Sequence, residues 1–190
     1  MRTPTPVHTF VQCKLDDTLA TGDIPEILDS KWHPVFLYGC LKTGFQRHDY
    51  ARGAKFLGNA WSRNTGFTMY IRSHIAKPYP VIFPAICEKP GSIFGEIHIV
   101  PSRTLIDLDY IEQNGIMYFR TMKTFDLATR KGPTRTMAAW VYVSKRELWD
   151  DMINNKALRE ATTFKRKDGN QGHFYMYTKE QEKNATLRNL

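Results

Sequence analysis

The chain has 190 residues, 42% of them hydrophobic and 24% charged, with 27 Lys and Arg against 19 Asp and Glu. This length and composition suit one globular domain with a real core and exclude wholesale disorder. No apolar run reaches the ~18 residues that a bilayer crossing needs, and the N-terminus holds no apolar stretch of signal-peptide length, so the expected setting is cytoplasmic with no membrane partner.

Cys13, Cys40 and Cys87 are scattered and odd in number, without a Cys-x-x-Cys pair. That pattern supports neither a disulfide framework nor a zinc site and fits a reducing compartment. The positive charge concentrates in the middle, where residues 51–143 carry twelve basic side chains against six acidic ones. One reading is solubility; the other is a field that attracts small anionic ligands. The basic residues form neither a dense block nor a reader motif, which weighs against nucleic acid.

In chain order, residues 1–33 mix Pro, Thr and Asp with short apolar pieces and are expected to form an N-terminal extension. A single domain over 34–190 follows, with 144–190 a helical and then loop-rich segment. "PVFLY" predicts a short buried strand that Gly39 ends. "KFLGNAW" and "GFTMYI" predict two more, with Asn64, Thr65 and Gly66 as the turn between them. In "SIFGEIHIV" the alternation places Ile93, Gly95, Ile97 and Ile99 on one face and Phe94, Glu96, His98 and Val100 on the other. A helix is expected from Ser102, as N-cap, to about Gln113, stopped by Asn114-Gly115. "MYFRTMKTFDL" and "TMAAWVYV" predict two further strands around the turn-rich "ATRKGPTR". A second helix is expected from Ser144, where "SKRE" has the form of a capping box, carrying Leu148, Met152, Ala157 and Leu158. Five or six strands with two helices predict an α+β fold, its sheet curled into a small barrel.

Two places carry candidate chemistry. On the first helix Leu105, Leu108 and Glu112 share a face by their spacing of three and four. A carboxyl in line with an apolar stripe loses hydration, which raises its pKa toward that of a general base working near neutrality. The competing reading is a solvated glutamate at a frayed helix end. The loop after "VFLY" is either a plain β-turn or a nest of N–H groups suited to a carboxylate or oxyanion. Lys42 there is a candidate charge or a solvated rim residue. Cys40 would be a nucleophile only with a partner such as His48. The histidines show no metal-ligand spacing, and no Gly-x-Ser-x-Gly, P-loop or dinucleotide fingerprint is present.

Four segments in order, "VFLYGCLKTG", "GEIHIV", "LDYIEQNGIMYFR" and "WVYV", resemble the γ-glutamylcyclotransferase-like superfamily, nearest its γ-glutamylamine cyclotransferase and AIG2-like branch. They match the Tyr-Gly-Thr/Ser-Leu-Lys opening, the Gly-Glu-Val-Tyr strand, the Leu-Asp-x-x-Glu segment with its Tyr-x-Arg, and the last central strand. The resemblance implies an α+β fold with a small mixed β-barrel and flanking helices. It also implies an enzyme in which the substrate's α-amine attacks its own γ-amide carbonyl, releasing an amine and 5-oxoproline, with no cofactor or metal. By the same resemblance Glu112 is the catalytic acid/base. Tyr38, Gly39, Cys40 and Leu41 are the substrate-cradling loop, and Tyr118 walls the pocket, while Arg120 is structural or at the rim. The expected partner is a small γ-glutamyl substrate. Cys40 departs from the usual Thr or Ser, exchanging a hydroxyl for a weaker thiol donor. The alternative is a binding module on the same scaffold that holds an anionic small molecule or nucleotide.

Overall fold

The computed structural model describes residues 31–63, 66–72, 79–84, 91–128, 135–154, 158–160, 162–164 and 173–187. Residues 1–30 of the expected 1–33 extension, the turn at Asn64 and Thr65, and most of "ATRKGPTR" and "KRKDGNQG" lie outside these residues, while Trp32 and His33 belong to the first strand.

The strands are β1 (Trp32–Leu37), β2 (Lys55–Ser62), β3 (Phe67–Arg72), β4 (Tyr79–Pro84), β5 (Gly91–Pro101), β6 (Tyr118–Leu127), β7 (Arg135–Ser144), β8 (Leu158–Glu160), β9 (Thr162–Phe164) and β10 (His173–Met176). The helices are α1 (Ser102–Ile111), α2 (Arg146–Asn154) and α3 (Lys179–Leu187), with a 3₁₀ turn at His48–Tyr50. Strands β1, β7, β6, β2 and β5 follow one another, and β5 pairs back onto β1, closing a five-stranded barrel. The β1–β7 contact at Val35 and Trp140 is parallel and the other barrel pairs are antiparallel, so the barrel is mixed, as the resemblance implies. The start of β5 also serves a second layer, taking β10 on one side and β3 on the other.

The uninterrupted apolar run of β1 has a packing reason. Val35 and Leu37 point into a cluster with Leu105, Leu108, Trp149 and Met152 under the helices. Phe36 and Tyr38 point into the barrel interior with Ile97, Phe125 and Val141. A strand buried on both faces has no polar alternation to show. Gly95 allows β5 to approach β1 closely, for a Cβ there would lie 2.4 Å from the Leu37 carbonyl oxygen.

Several expectations are corrected. Helix α1 takes Pro101 as its N-cap, and Ser102 instead hydrogen-bonds His33 Nε2 at 3.0 Å. It ends two residues early, with Glu112 at the C-cap and Gln113 at φ 50°. The predicted capping box does not form: Ser144 closes β7, its hydroxyl is buried without a partner, and α2 starts at Arg146. Leu158 belongs to β8, and Ala157 lies outside the described residues. The alternation in β5 holds from Ile93 to Ile97 and then shifts, so that His98 and Val100 are buried and Ile99 is not. Strand β4, "YPVIFP", was unanticipated; its two prolines are tolerated because it pairs with β3 alone, as an edge strand.

Candidate active site

The strand-to-turn corner after β1 opens onto a cleft of about 230 Å³, closed on its other side by the end of α1. All six residues singled out from the sequence line it: Tyr38, Gly39, Cys40, Leu41, Glu112 and Tyr118. Arg47, Tyr79, Pro80, Gln113 and Tyr142 complete much of the wall.

Leu105 and Leu108 are buried, and their face of α1 carries Glu112 onto the cleft. The chain leaves the helix through the left-handed Gln113, which ends the run with Glu112 still backed by protein. Among the described residues no hydrogen bond reaches its carboxyl oxygens. Burial pushes its pKa up to about 7, against a weaker lowering by the Arg47 guanidinium. The residue is half-buried: it opens to the cleft, yet the walls strip its hydration.

The turn opposite closes by Lys42 N–H donating to the Gly39 carbonyl at 3.1 Å, and Arg47 N–H donates to the Cys40 carbonyl at 3.0 Å. The Cys40 and Leu41 N–H groups take no part in the described backbone hydrogen bonds. Both residues face the cleft, so a cradle of amides is available there. Gly39 is needed for space: a Cβ would lie 2.9 Å from the Pro80 ring. The Tyr38 hydroxyl donates to the Tyr142 carbonyl at 3.0 Å, and burial raises its pKa well above the ordinary tyrosine range.

The thiol of Cys40 is no nucleophile. Burial pushes its pKa up to about 11, and it accepts a hydrogen bond from Tyr177. His48 turns instead to the Leu41 carbonyl at 2.9 Å. Lys42 is neither a cleft charge nor a rim residue: it is 4% exposed, and its ammonium donates to the Tyr177 carbonyl at 2.7 Å. Burial there lowers its pKa to about 8.

A clasp from the C-terminal segment thus holds the back of the turn. Besides Tyr177, Glu182 accepts from the Gln46 N–H at 3.0 Å, and Lys179 donates to the Gly44 carbonyl. On the same side Glu96 accepts from Thr43 N–H at 2.8 Å, from Thr43 Oγ1 at 2.9 Å and from His98 Nε2 at 2.9 Å. Burial pushes its carboxyl up, but these donors outweigh it and hold the pKa below the ordinary value.

Tyr118 is buried, and burial raises its pKa well above the ordinary range; its phenol donates to Tyr79. Tyr79 in turn accepts from Arg72, which pairs with Asp151 on α2. Arg120 is structural: it pairs with Asp109 at 2.7 Å and lies over the Trp140 ring. Asp109 also accepts from the Tyr142 hydroxyl at 2.8 Å, which fixes that wall. Sequence reasoning missed Arg47, Tyr79 and Tyr142. Only the shared cleft groups them, although Arg47 stands just three residues beyond the quoted "VFLYGCLKTG" segment.

The mixed barrel sets a dehydrated carboxyl across one small cleft from a turn whose Cys40 and Leu41 amides take no backbone hydrogen bond among the described residues. Residues 35–160 match the family described as gamma-glutamyl cyclotransferase, AIG2-like, and the chain belongs to that family. It is similar to the gamma-glutamylaminecyclotransferase of Bos taurus, 35% identical over 114 residues that cover 53% of this chain and 60% of the bovine protein. This chain therefore spans less than two thirds of that relative's length. It is 28% identical over 162 residues to gamma-glutamylaminecyclotransferase B of Danio rerio, covering 78% of this chain and 74% of the relative. The crystal structure of an AIG2-like protein from Mus musculus superposes with a TM-score of 0.50 at 22% identity, over 60% of this chain and 78% of the mouse chain, and shows the same fold.

Proposed function

We propose that this chain is a γ-glutamyl cyclotransferase acting on γ-glutamyl amines, releasing an amine and 5-oxoproline. The observation that carries this reading is Glu112, a carboxyl that takes no hydrogen bond among the described residues and faces the 38–41 turn across one small cleft. At about 230 Å³ the cleft lies below the ~300–1,000 Å³ of pockets for larger ligands and suits a single glutamyl group.

The substrate's α-ammonium lies against Glu112, which takes one proton and frees the lone pair. The amine attacks the γ-carbonyl carbon within the same molecule, forming the five-membered ring. Holding the chain curled supplies much of the rate, because the attack needs no second molecule. The developing oxyanion accepts hydrogen bonds from the Cys40 and Leu41 N–H groups, which replacement of a hydroxyl by a thiol leaves untouched. Attack leaves the ring nitrogen with two protons; Glu112 returns the first proton to the leaving nitrogen as the C–N bond breaks and then relays the second from the ring nitrogen to the departing amine. The amine leaves as its ammonium, and the carboxylate is regenerated.

The test is 5-oxoproline release from a panel of γ-glutamyl amines and peptides, wild type beside Glu112→Gln. Release that disappears in a variant with an unchanged circular dichroism spectrum is the expected result. Release by the variant at the wild-type rate overturns the assignment of Glu112. No release from any substrate replaces the enzyme by a binding module on the same scaffold.

A further inference from the structure

Arg47 has so far entered only through its backbone hydrogen bond and the pull of its charge on Glu112. Its guanidinium lies 5.6 Å from the centre of the Tyr79 ring, on the wall of the cleft, and has no hydrogen bond or ion pair among the described residues. An arginine that half-buries itself beside a cleft without a partner is an anion site awaiting its anion.

Arg47 also lines a second, more open groove of roughly 760 Å³ that adjoins the cleft, and Ile111 and Gln113 are common to both. This outer groove is where a substrate must continue once its glutamyl group fills the inner cleft. Its sides include Tyr50, Tyr110 and Ile116, which are 52%, 85% and 73% exposed. So much aromatic and branched surface at the mouth of a polar cleft is a contact surface in want of an apolar group. Asp109, also on the groove, is neutralised by its 2.7 Å pair with Arg120, so Arg47 sets the sign of the field there.

We propose that the outer groove is the leaving-group subsite and that Arg47 is its specificity residue, selecting leaving amines that bear a carboxylate next to a large apolar or aromatic side chain. The carboxylate meets the guanidinium at the boundary between cleft and groove, and the side chain lies across Tyr50, Tyr110 and Ile116. This rests on the cyclotransferase reading for its chemistry, though not for its binding. The position of Arg47 has a second effect: its charge favours the ionised form of Glu112.

The test compares γ-glutamylphenylalanine with γ-glutamylphenethylamide, which differ only in the leaving-group carboxylate. Wild type is expected to prefer the acid by about 10- to 100-fold in kcat/KM, mostly through KM. In Arg47→Gln that ratio falls to within about threefold of unity, while the amide is still turned over; Arg47→Lys, with charge but no planar fork, lies between. The acid limb of the pH profile also moves upward in Arg47→Gln, a shift that a merely structural role does not produce. An equal loss for both substrates places Arg47 on the glutamyl half and overturns the proposal, as does a wild type indifferent to the carboxylate. If neither compound yields 5-oxoproline, the enzymatic reading has failed, and calorimetric titration of the same pair decides the subsite alone. Tighter binding of the acid that is lost in Arg47→Gln sustains it, and equal binding overturns it.

Discussion

Two glutamates bound the same turn, and they have opposite fates. Glu112 meets the turn across the cleft with no hydrogen bond to either oxygen, and burial pushes it up to about 7. Glu96 reaches the turn at Thr43, is likewise half-buried, and receives three hydrogen bonds that hold it below its ordinary value. Burial alone therefore does not make a base. A carboxyl becomes reactive where the fold withholds donors, and it becomes a brace where the fold supplies them.

Replacement of Glu112 is expected to break this contrast most severely. Glu112→Gln should lower kcat by at least about 100-fold, the usual scale of a lost general acid/base, with a urea midpoint no lower than wild type. The pH dependence sharpens the same point. The folded pKa of Glu112 lies above its ordinary 4.5, so its favourable share of stability is full below 4.5 and is lost as pH rises to about 7. The folded pKa of Glu96 lies below its ordinary value, so its share is present above 4.5 and is lost on acidification below it. Denaturant midpoints across pH 4–8 should therefore fall toward neutrality in wild type relative to Glu112→Gln, and kcat/KM should rise through an acid limb near 7.

Removing the brace comes next. Glu96→Ala leaves the exposed Thr43 donors to water but strands the buried His98 Nε2, and should cost about 1–3 kcal/mol in chemical denaturation, raising KM more than it lowers kcat. Glu96→Gln keeps an acceptor for Thr43 and should recover much of the KM. The smallest effect belongs to Tyr177→Phe, which removes the hydroxyl donated to Cys40 but keeps the ring against Phe45. A sulfur acceptor is weak, so the expected change is under about 1 kcal/mol and a shift in KM of no more than a few-fold.

Much of this contrast can be traced in the amino-acid sequence, but unevenly. Six strands of the barrel and its neighbour are marked by alternation or by apolar runs, and the spacing of Leu105, Leu108 and Glu112 puts the carboxyl on a buried face. The brace was invisible because Glu96 looks like any outward residue of an alternating strand; its donors come from Thr43, fifty-three positions away. Pro80 and Pro84 disguised β4, and with it Tyr79. Arg47 carries no local pattern at all, since an unpaired guanidinium is recognisable only once its surroundings are known. The apparent capping box at Ser144 failed because pairing with Tyr118 extended β7 through the residue that would have capped the helix.

The clasp formed by Tyr177, Lys179 and Glu182 has a consequence for biogenesis. Translation delivers the last barrel strand at Ser144, but the residues that secure the turn after β1 leave the ribosome only later. A nascent chain can thus close its barrel before the turn that borders the cleft is held from behind.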